Sequence, residues 1–344
     1  IYGQNYTAFL DNSGIEKNED GSFKTTKTGE VYEKDEKTGT YLKTSDRFNY
    51  VFNKSHVSLM PRMFNEDKGV MGNYISMYGA PDFTFNDANE EVANNPEANQ
   101  IFEELKAKYN DGSITVQDYL KVKPYELITV QRPSLAQNMN YFITFQNGYY
   151  FLRYLMWNFA GRQNDLEGHN ENTNGNWISG IPFIDNMLYG SQDAMPAKFK
   201  NESTVAFFFL PLLLGIIGCY FQFMRDFGRF YAILSLFVLT SVGIVFYTGM
   251  KPYEPRERDY AVVGSFYAFA IWIGLGAGAI LWYLQSKVKS NAANIGFGVV
   301  LMAIPLMMGF QNYNVHDRSG RYTAYDYSYS MLKSLPKNDI LFVY

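Results

Sequence analysis

A single cysteine stands in a chain of 344 residues. Cys219 therefore closes no intramolecular disulfide and anchors no thiolate metal cluster, and cysteine usage says nothing of the redox compartment. Histidine is almost as scarce. His56, His169 and His316 lie far apart and lack the spacing of a ligand set. No cofactor is evident from these residue types, and a divalent metal held by carboxylates stays open. An excess of positive charge is missing too. Lys and Arg number 30 against 34 Asp and Glu, for a net charge of −4, and no long basic stripe exists to neutralise a phosphate backbone. Nucleic acid is thereby excluded as a partner. The chain opens at Ile1 without Met or a signal-peptide pattern, and it closes at Tyr344 inside "DILFVY", which reads as an unfinished strand. The expectation is a piece of a longer protein.

Charge itself is absent from four long stretches: Thr204–Met224, Phe230–Met250, Tyr260–Leu284 and Ala292–Phe310. Crossing roughly 30 Å of hydrocarbon takes about 20 apolar residues in a helix, and each stretch is near that length. Buried helices of a soluble protein are the alternative, but those are usually shorter and carry polar positions. The expected fold is a mainly α membrane protein, with four transmembrane helices preceded by a mixed α+β extramembrane region. The divisions fall at residues 1–135 (soluble α+β), 136–200 (an aromatic interfacial helix and a polar loop), 201–311 (the four helices at 204–224, 230–250, 260–284 and 292–310) and 312–344 (a further extramembrane start). Tyr220, Tyr247, Tyr260 and Trp282 suit interfacial belts. Gly274 and Gly278 make a small-xxx-small face for helix contact. Pro211 and Pro305 fall inside spans and are expected to kink them.

Four crossings would put the N-terminal region, loop 251–259 and the C-terminal tail on one side, with "RDFGR" and "QSKVKSNAA" on the other. Lys and Arg occur in the loops of both sides, so charge counting leaves the orientation open. Long soluble regions translocate largely regardless of charge. This favours the two short loops as cytoplasmic.

Before the spans, "EDGSFKTT", "KTGEVYEKDEKTGTYLKT" and "RFNYVFN" read as short strands joined by Gly-containing turns. "NEEVANNPEANQIFEELKAKYNDG" reads as a helix with an acidic start and an Asn-Asp-Gly stop. "SITVQDYLKV" and "PYELITVQRP" return to strand patterns. "LAQNMNYFITFQNGYYFLRYLMWNFAG" is aromatic around much of a helix yet contains Gln, Asn and Arg153. An interfacial helix and a core helix of the soluble region both fit it. The run "GRQNDLEGHNENTNGNWISGIPFIDN" then forms a long polar loop, either functional or a solvated connector. Polar groups beside Trp and Gly suit carbohydrate or head-group recognition.

The densest charge cluster, "KPYEPRERDY" at Lys251–Tyr260, lies between two of the uncharged stretches. Pro252 and Pro255 stiffen it. Its alternating signs fit a self-paired, solvated loop. They also fit a site where arginine forks grip phosphate and a carboxylate serves as base. A second cluster, "NYNVHDRSGRYTAYDY", flanks the last span with His316, Asp317, Arg318, Arg321 and Asp326.

The stretches "YLMWNFAGRQND", "GNWISGIPFIDN", "KPYEPRERDYAVVGSFYAFAIWIGLG" and "HDRSGRYTAYDY" resemble a family of large membrane proteins of Bacteroides-type bacteria. That family is described as protein O-mannosyltransferase-like and is grouped with the GT-C glycosyltransferases. The resemblance runs from about Phe48 to Tyr344. It implies an inner-membrane enzyme that moves sugar from a polyprenyl-phosphate donor to protein Ser or Thr at the periplasmic face. The implied partners are a lipid-linked sugar donor, a protein acceptor and the bilayer. Arg256, Arg258 and Arg321 become the expected donor-phosphate contacts. Glu257, Asp259 and Asp317 are the candidate carboxylates. Trp157, Asn158, Arg162, Asp165, Asn176, Trp177 and His316 are candidates for binding substrate. The family's Asp-x-Gly-Glu motif is absent from this sequence, so the catalytic base is expected outside it, and the segment alone is expected to be inactive.

Overall fold

The computed structural model describes residues 16, 18–51, 73–74, 77–78, 83–85, 90–111, 113, 127–130, 134–252, 256–336 and 339–342. In chain order the elements begin with strands β1 (Thr25–Lys34), β2 (Tyr41–Tyr50) and β3 (Phe83–Phe85), a helical turn at Glu90–Ala93, helix α1 (Pro96–Asn110) and strand β4 (Ile128–Val130). Helix α2 (Leu135–Asn140), a π-helical segment (Tyr141–Leu152) and α3 (Arg153–Phe159) follow without a break. Next come β5 (Gly161–Arg162), α4 (Pro182–Tyr189), β6 (Val205–Ala206) and α5 (Leu210–Arg225). Helix α6 (Phe227–Val238) runs through a second π-helical segment (Leu239–Gly243) into α7 (Ile244–Thr248). A 3-10 turn (Asp259–Val262) opens α8 (Val263–Lys287), and α9 (Asn291–His316) and α10 (Thr323–Lys333) complete the order. The architecture is mainly helical with small two-stranded sheets, as the uncharged stretches and turn signals lead one to expect. The chain divides into two compact units, residues 1–154 with 233–267, and residues 155–232 with 268–344.

In the first unit, β1 and β2 form an antiparallel hairpin. Asp35 sets its turn, accepting from the Lys37 amide at 3.0 Å and the Thr38 hydroxyl at 2.7 Å, while Gly39 supplies a positive φ of 70°. Lys43 bridges Glu30 and Asp46 at 2.7 and 2.6 Å along one face. These exposed pairs are each worth under about 1 kcal/mol. Helix α1 begins where Asn95 caps the Glu97 and Ala98 amides and Pro96 fills the first turn. It ends at Asp111, and it buries Phe102 against Phe85. "PYELITVQRP" contains β4, which pairs antiparallel with β3. "SITVQDYLKV" lies, apart from Ser113, outside the described residues.

Helix α2 starts on a reciprocal capping box between Ser134 and Gln137. The π-helical segment that follows buries Tyr141, Phe145, Gln146, Tyr150 and Phe151 while leaving Ile143 and Leu152 exposed. Its rings form the centre of this unit. Tyr141 stacks on Phe145, and Phe142 and Phe151 meet Phe246 and Phe237 edge-on.

Among the described residues, three helices are long and apolar enough to cross a membrane: Phe227–Thr248, Asp259–Lys287 and Asn291–His316. The first expected span is shorter in the structure. Residues before Leu210 spend their backbone hydrogen bonds elsewhere, since β6 pairs with β5 and the Phe207 and Phe208 amides donate to Ala160 and Ser179 carbonyls. Helix α5 therefore begins at Leu210 and runs for 16 residues. Pro211 sits in its first turn, not its interior. No amide donor is needed there, so the expected kink has no cause at that position. Pro305 does lie inside α9.

The small-residue contact also differs from expectation. A Cβ added to Gly274 or Gly278 would meet nothing within 4 Å. The close approach is made by Gly276 of α8 and Gly218 of α5. A Cβ on Gly218 would strike the Trp272 carbonyl, and one on Gly276 would strike the Leu214 carbonyl. Positions 274 and 278 share one side of the helix, and 276 falls on the opposite side. Around this contact Phe159 packs on Phe269 with ring centroids 4.7 Å apart, and the Trp272 indole donates to Gln222 Oε1 at 2.8 Å. Helix α9 buries none of its residues. Val299, Met302, Leu306 and Phe310 are all exposed along it. At the chain's end, Asp339–Phe342 take no regular secondary structure, in place of the expected strand.

Candidate functional site

The charged loop is part of the first unit. Helix α7 stops at Thr248 because Gly249 turns left-handed with φ 58°. The next carbonyl, that of Met250, accepts from the buried Tyr141 hydroxyl at 2.6 Å and from Gln146 Nε2 at 2.9 Å. Pro252 is buried. Tyr253, Glu254 and Pro255 lie outside the described residues, and with them the expected stiffening by Pro255 and the place of Glu254 in the sign alternation.

Farther along, Glu257 turns inward. Arg153 grips it with both arms of its fork, Nη1 to Oε1 at 3.0 Å and Nη2 to Oε2 at 2.6 Å. The Arg153 side chain is 4% exposed and that of Glu257 17%, so the pair is shielded from water. The Tyr154 hydroxyl donates to the same Oε2 and accepts the Arg258 amide at 3.0 Å. The Arg153 guanidinium also lies over the Tyr149 and Tyr154 rings, 4.5 and 4.7 Å from their centroids. Burial opposes the Arg153 charge, yet Glu257, Tyr149 and Tyr154 together outweigh it and its pKa is raised. Burial likewise pushes the Tyr154 hydroxyl up, so it stays a donor. Removing one partner of such a pair costs about 3–5 kcal/mol, because the other is left charged and buried.

Glu257 is therefore paired outside the loop, where the alternating signs fitted a self-paired one. Its partner comes from a helix 104 positions earlier. Three basic and three acidic residues make the loop neutral as a sequence. With Glu257 neutralised by Arg153, the remaining balance is positive by one. Arg256 is exposed, with Nη2 3.3 Å from the Tyr260 hydroxyl. Arg258 is half-buried, and Asp259 opens the 3-10 turn. Arg153 and Tyr154 were not among the residues expected at a site. The signal was present: Arg153 is the single charge in the 27 residues from Leu135 to Gly161, and such a charge must find a partner when buried.

The polar run after α3 is a well-tied loop of the second unit. Gly161 has φ 144°, and a Cβ there would lie 2.7 Å from the Ile178 carbonyl oxygen. Only glycine lets β5, β6 and the Ile178 backbone converge. Asn164 uses both ends of its amide, donating to Thr173 and Phe199 carbonyls and accepting from the Gly175 and Leu166 amides. Asn176 donates to Gln163 Oε1 at 2.9 Å and to the Glu171 carbonyl at 2.7 Å. Asp185 is 3% exposed and accepts from the Ser179 amide and hydroxyl and the Gly180 amide, at 2.7–2.8 Å.

The expected substrate-side residues Trp157, Arg162, Asn176 and Trp177 do come together here. The Trp157 indole donates to Gly175, and Arg162 lies 5.6 Å from the Trp157 ring while donating to Ser203. Trp177 is half-buried between the Tyr189 and Phe209 rings. Asp165 stands exposed at the rim and accepts from Asn201 at 2.6 Å, and Asn158 is half-buried on α3. Gln163, Asn164 and Asp185, which hold the loop, were not singled out in the sequence. Much of the polar chemistry here is spent internally, on shape.

His316 closes α9, exposed. Asp317 accepts from the Ser319 amide at 2.9 Å, and hydrogen bonds from Ser319 hold its carboxyl below the usual range. Arg321 is exposed, its amide donating to the Arg318 carbonyl. These tail residues belong to the second unit, whereas Arg256, Glu257, Arg258 and Asp259 belong to the first. Among the described residues, no group of three or more His, Cys, Asp or Glu is placed to hold a metal ion.

Residues 1–143 match the model of a family of unknown function, DUF8416. The match takes in the hairpin, α1, α2 and the first residues of the π-helical segment, and it stops before Arg153. No curated protein and no solved structure matches the chain.

Proposed function

We propose that this chain is part of a polytopic membrane glycosyltransferase, similar to protein O-mannosyltransferases, that transfers sugar from a polyprenyl-phosphate donor to protein Ser or Thr. One observation carries the reading. The 251–260 loop, next to a helix long and apolar enough to cross a membrane, has its inner carboxylate neutralised by Arg153 and keeps Arg256 exposed. Arginine beside a bilayer surface suits a lipid phosphate, which it binds through a planar fork. The resemblance of the four sequence motifs supplies the sugar chemistry. Arg258 joins Arg256 as a donor contact in this reading, with Asp259 as the candidate carboxylate. Glu257, already gripped by Arg153, serves as an anchor.

In the same reading α5 is the fourth crossing. Its 16 residues rise about 24 Å, short of the roughly 30 Å of hydrocarbon, and the residues before Leu210 and a snorkelling Arg225 make up the difference. The membrane is then the bacterial inner membrane, with the N-terminal region, loop 251–259 and tail on the periplasmic side. Tyr220, Tyr247, Tyr260 and Trp282, all exposed, fit its two interfaces.

The test is to express the full-length protein with Arg256→Met and Arg258→Met together and stain envelope proteins for glycan. Loss of staining at normal protein level is expected, and unchanged glycosylation would sink the phosphate role. A non-catalytic scaffold is the second reading, favoured by the exposed Tyr32, Tyr41, Leu42 and Phe48 of the hairpin. Retained glycosylation in a deletion strain, with loss of an assembled partner, would select it.

A further inference from the structure

We propose that Arg153 is the positioning residue of the 251–260 loop: its buried guanidinium holds Glu257 inward, so that Arg256 meets a phosphate group without competition from Glu257. The inference deepens the reading above and rests on its phosphate site. Arg256 and Glu257 are neighbours in sequence, and so are Glu257 and Arg258. In a loop without an anchor, Glu257 would lie within reach of either neighbouring arginine, opposite to it in charge. The fold prevents this by occupying both carboxylate oxygens, Oε1 with Arg153 Nη1 and Oε2 with Nη2 and the Tyr154 hydroxyl.

The Tyr154 hydroxyl also takes the Arg258 amide, which fixes the backbone directly after Glu257. A second clamp, Tyr141 and Gln146 on the Met250 carbonyl, fixes the loop where it leaves α7. Both clamps come from the continuous helical stretch that holds the π-helical segment. Lysine at position 153 would not substitute, because a point charge cannot span both oxygens as the fork does. Among the described residues, the ion pairs join Glu257 to Arg153 and none joins Arg256.

The experiment uses full-length protein in phosphatidylcholine nanodiscs, with farnesyl phosphate as probe, farnesol as the control lacking phosphate, and inorganic phosphate as competitor. Wild type is expected to prefer farnesyl phosphate. R153M should weaken that binding by about tenfold or more, as for loss of a charge-assisted hydrogen bond, with farnesol binding unchanged. The double variant R153M/E257M removes the competing carboxylate and should recover most of the preference. It should also keep the fold, since replacing both members of a buried pair is often neutral.

A purely structural pair would lose farnesol and farnesyl phosphate binding together in R153M, whereas a positioning pair loses the phosphate preference alone. The inference is overturned if R153M keeps the wild-type preference, or if the double variant stays as weak as R153M while melting like wild type. Competition by inorganic phosphate at equal strength would mark a free-phosphate site and overturn the lipid donor as source. Hydrogen–deuterium exchange over residues 250–262 reads the anchoring separately. Faster exchange in R153M is expected, and wild-type exchange there overturns the positioning role. Absence of any phosphate preference in wild type overturns the phosphate reading itself.

Discussion

Alanine placed at Gly276 and at Gly274, one at a time, should have opposite effects on stability. Both glycines lie within α8, and alanine is favoured over glycine in a helix interior by about 1 kcal/mol. At Gly274 nothing lies within 4 Å of the new Cβ, so the full gain should appear. At Gly276 the new Cβ meets backbone, the Leu214 carbonyl of α5, and backbone cannot rotate away as a side chain can. The helices must part. Overpacking of this kind costs about 1–3 kcal/mol, and a gap of about 0.5–1 Å forfeits a quarter to a half of each dispersion contact across the seam. The Trp272–Gln222 hydrogen bond at 2.8 Å and the Phe230–Trp272 ring contact lie on the same seam. Taking about 3 kcal/mol for the strain and subtracting about 1 for propensity leaves a net loss of about 2 kcal/mol. The two variants should then differ by about 3 kcal/mol, or several degrees in melting temperature. Thermal unfolding of the full-length protein in detergent, followed by tryptophan emission, measures this. Gly276→Ala melting at or above Gly274→Ala would refute the assigned helix contact. The Gly218→Ala variant should behave like Gly276→Ala.

Two further outcomes follow from single side chains. Asp185→Ala strands the Ser179 and Gly180 amides in a buried site, at about 1–3 kcal/mol for each lost partner. Those two amides should lose exchange protection and the 163–205 loop should become protease-sensitive, with Asp185→Asn milder. Asp317 has its carboxyl lowered by Ser319, so its contribution to the turn after α9 is present above the usual carboxylate range. That contribution is lost as pH falls through the lowered value. The Ser319 amide shift in a pH titration should follow that midpoint, and Asp317→Asn should flatten the curve.

Much of the architecture was legible because its causes are local. Uncharged runs near 20 residues mark helices able to cross a bilayer, and the Asn-Asp-Gly run marks the stop of α1 at Asp111. The turn at Asp35–Thr40 follows from Asp and Gly at the positions that need them. The shorter α5 was not legible, because the residues before Leu210 look as apolar as those after. What separates them is a set of backbone bonds to residues 160–162 and 179, far away in sequence. The glycine contact was misplaced for a related reason. Spacing tells which glycines share a side of a helix, and it does not tell which side the neighbour takes.

The candidate site divides in the same way. By itself the sequence determined that a dense charged loop would lie between two uncharged helices, and that one arginine would stand alone in an aromatic helix. Each follows from residue type and spacing. Only the tertiary structure decided that these two features are partners. A sequence that balances its charges within one loop predicts that they pair there. The fold instead gives Glu257 to Arg153 across 104 positions. A bidentate pair shielded from water is stronger than a solvated contact between flexible neighbours, and that preference leaves Arg256 facing out.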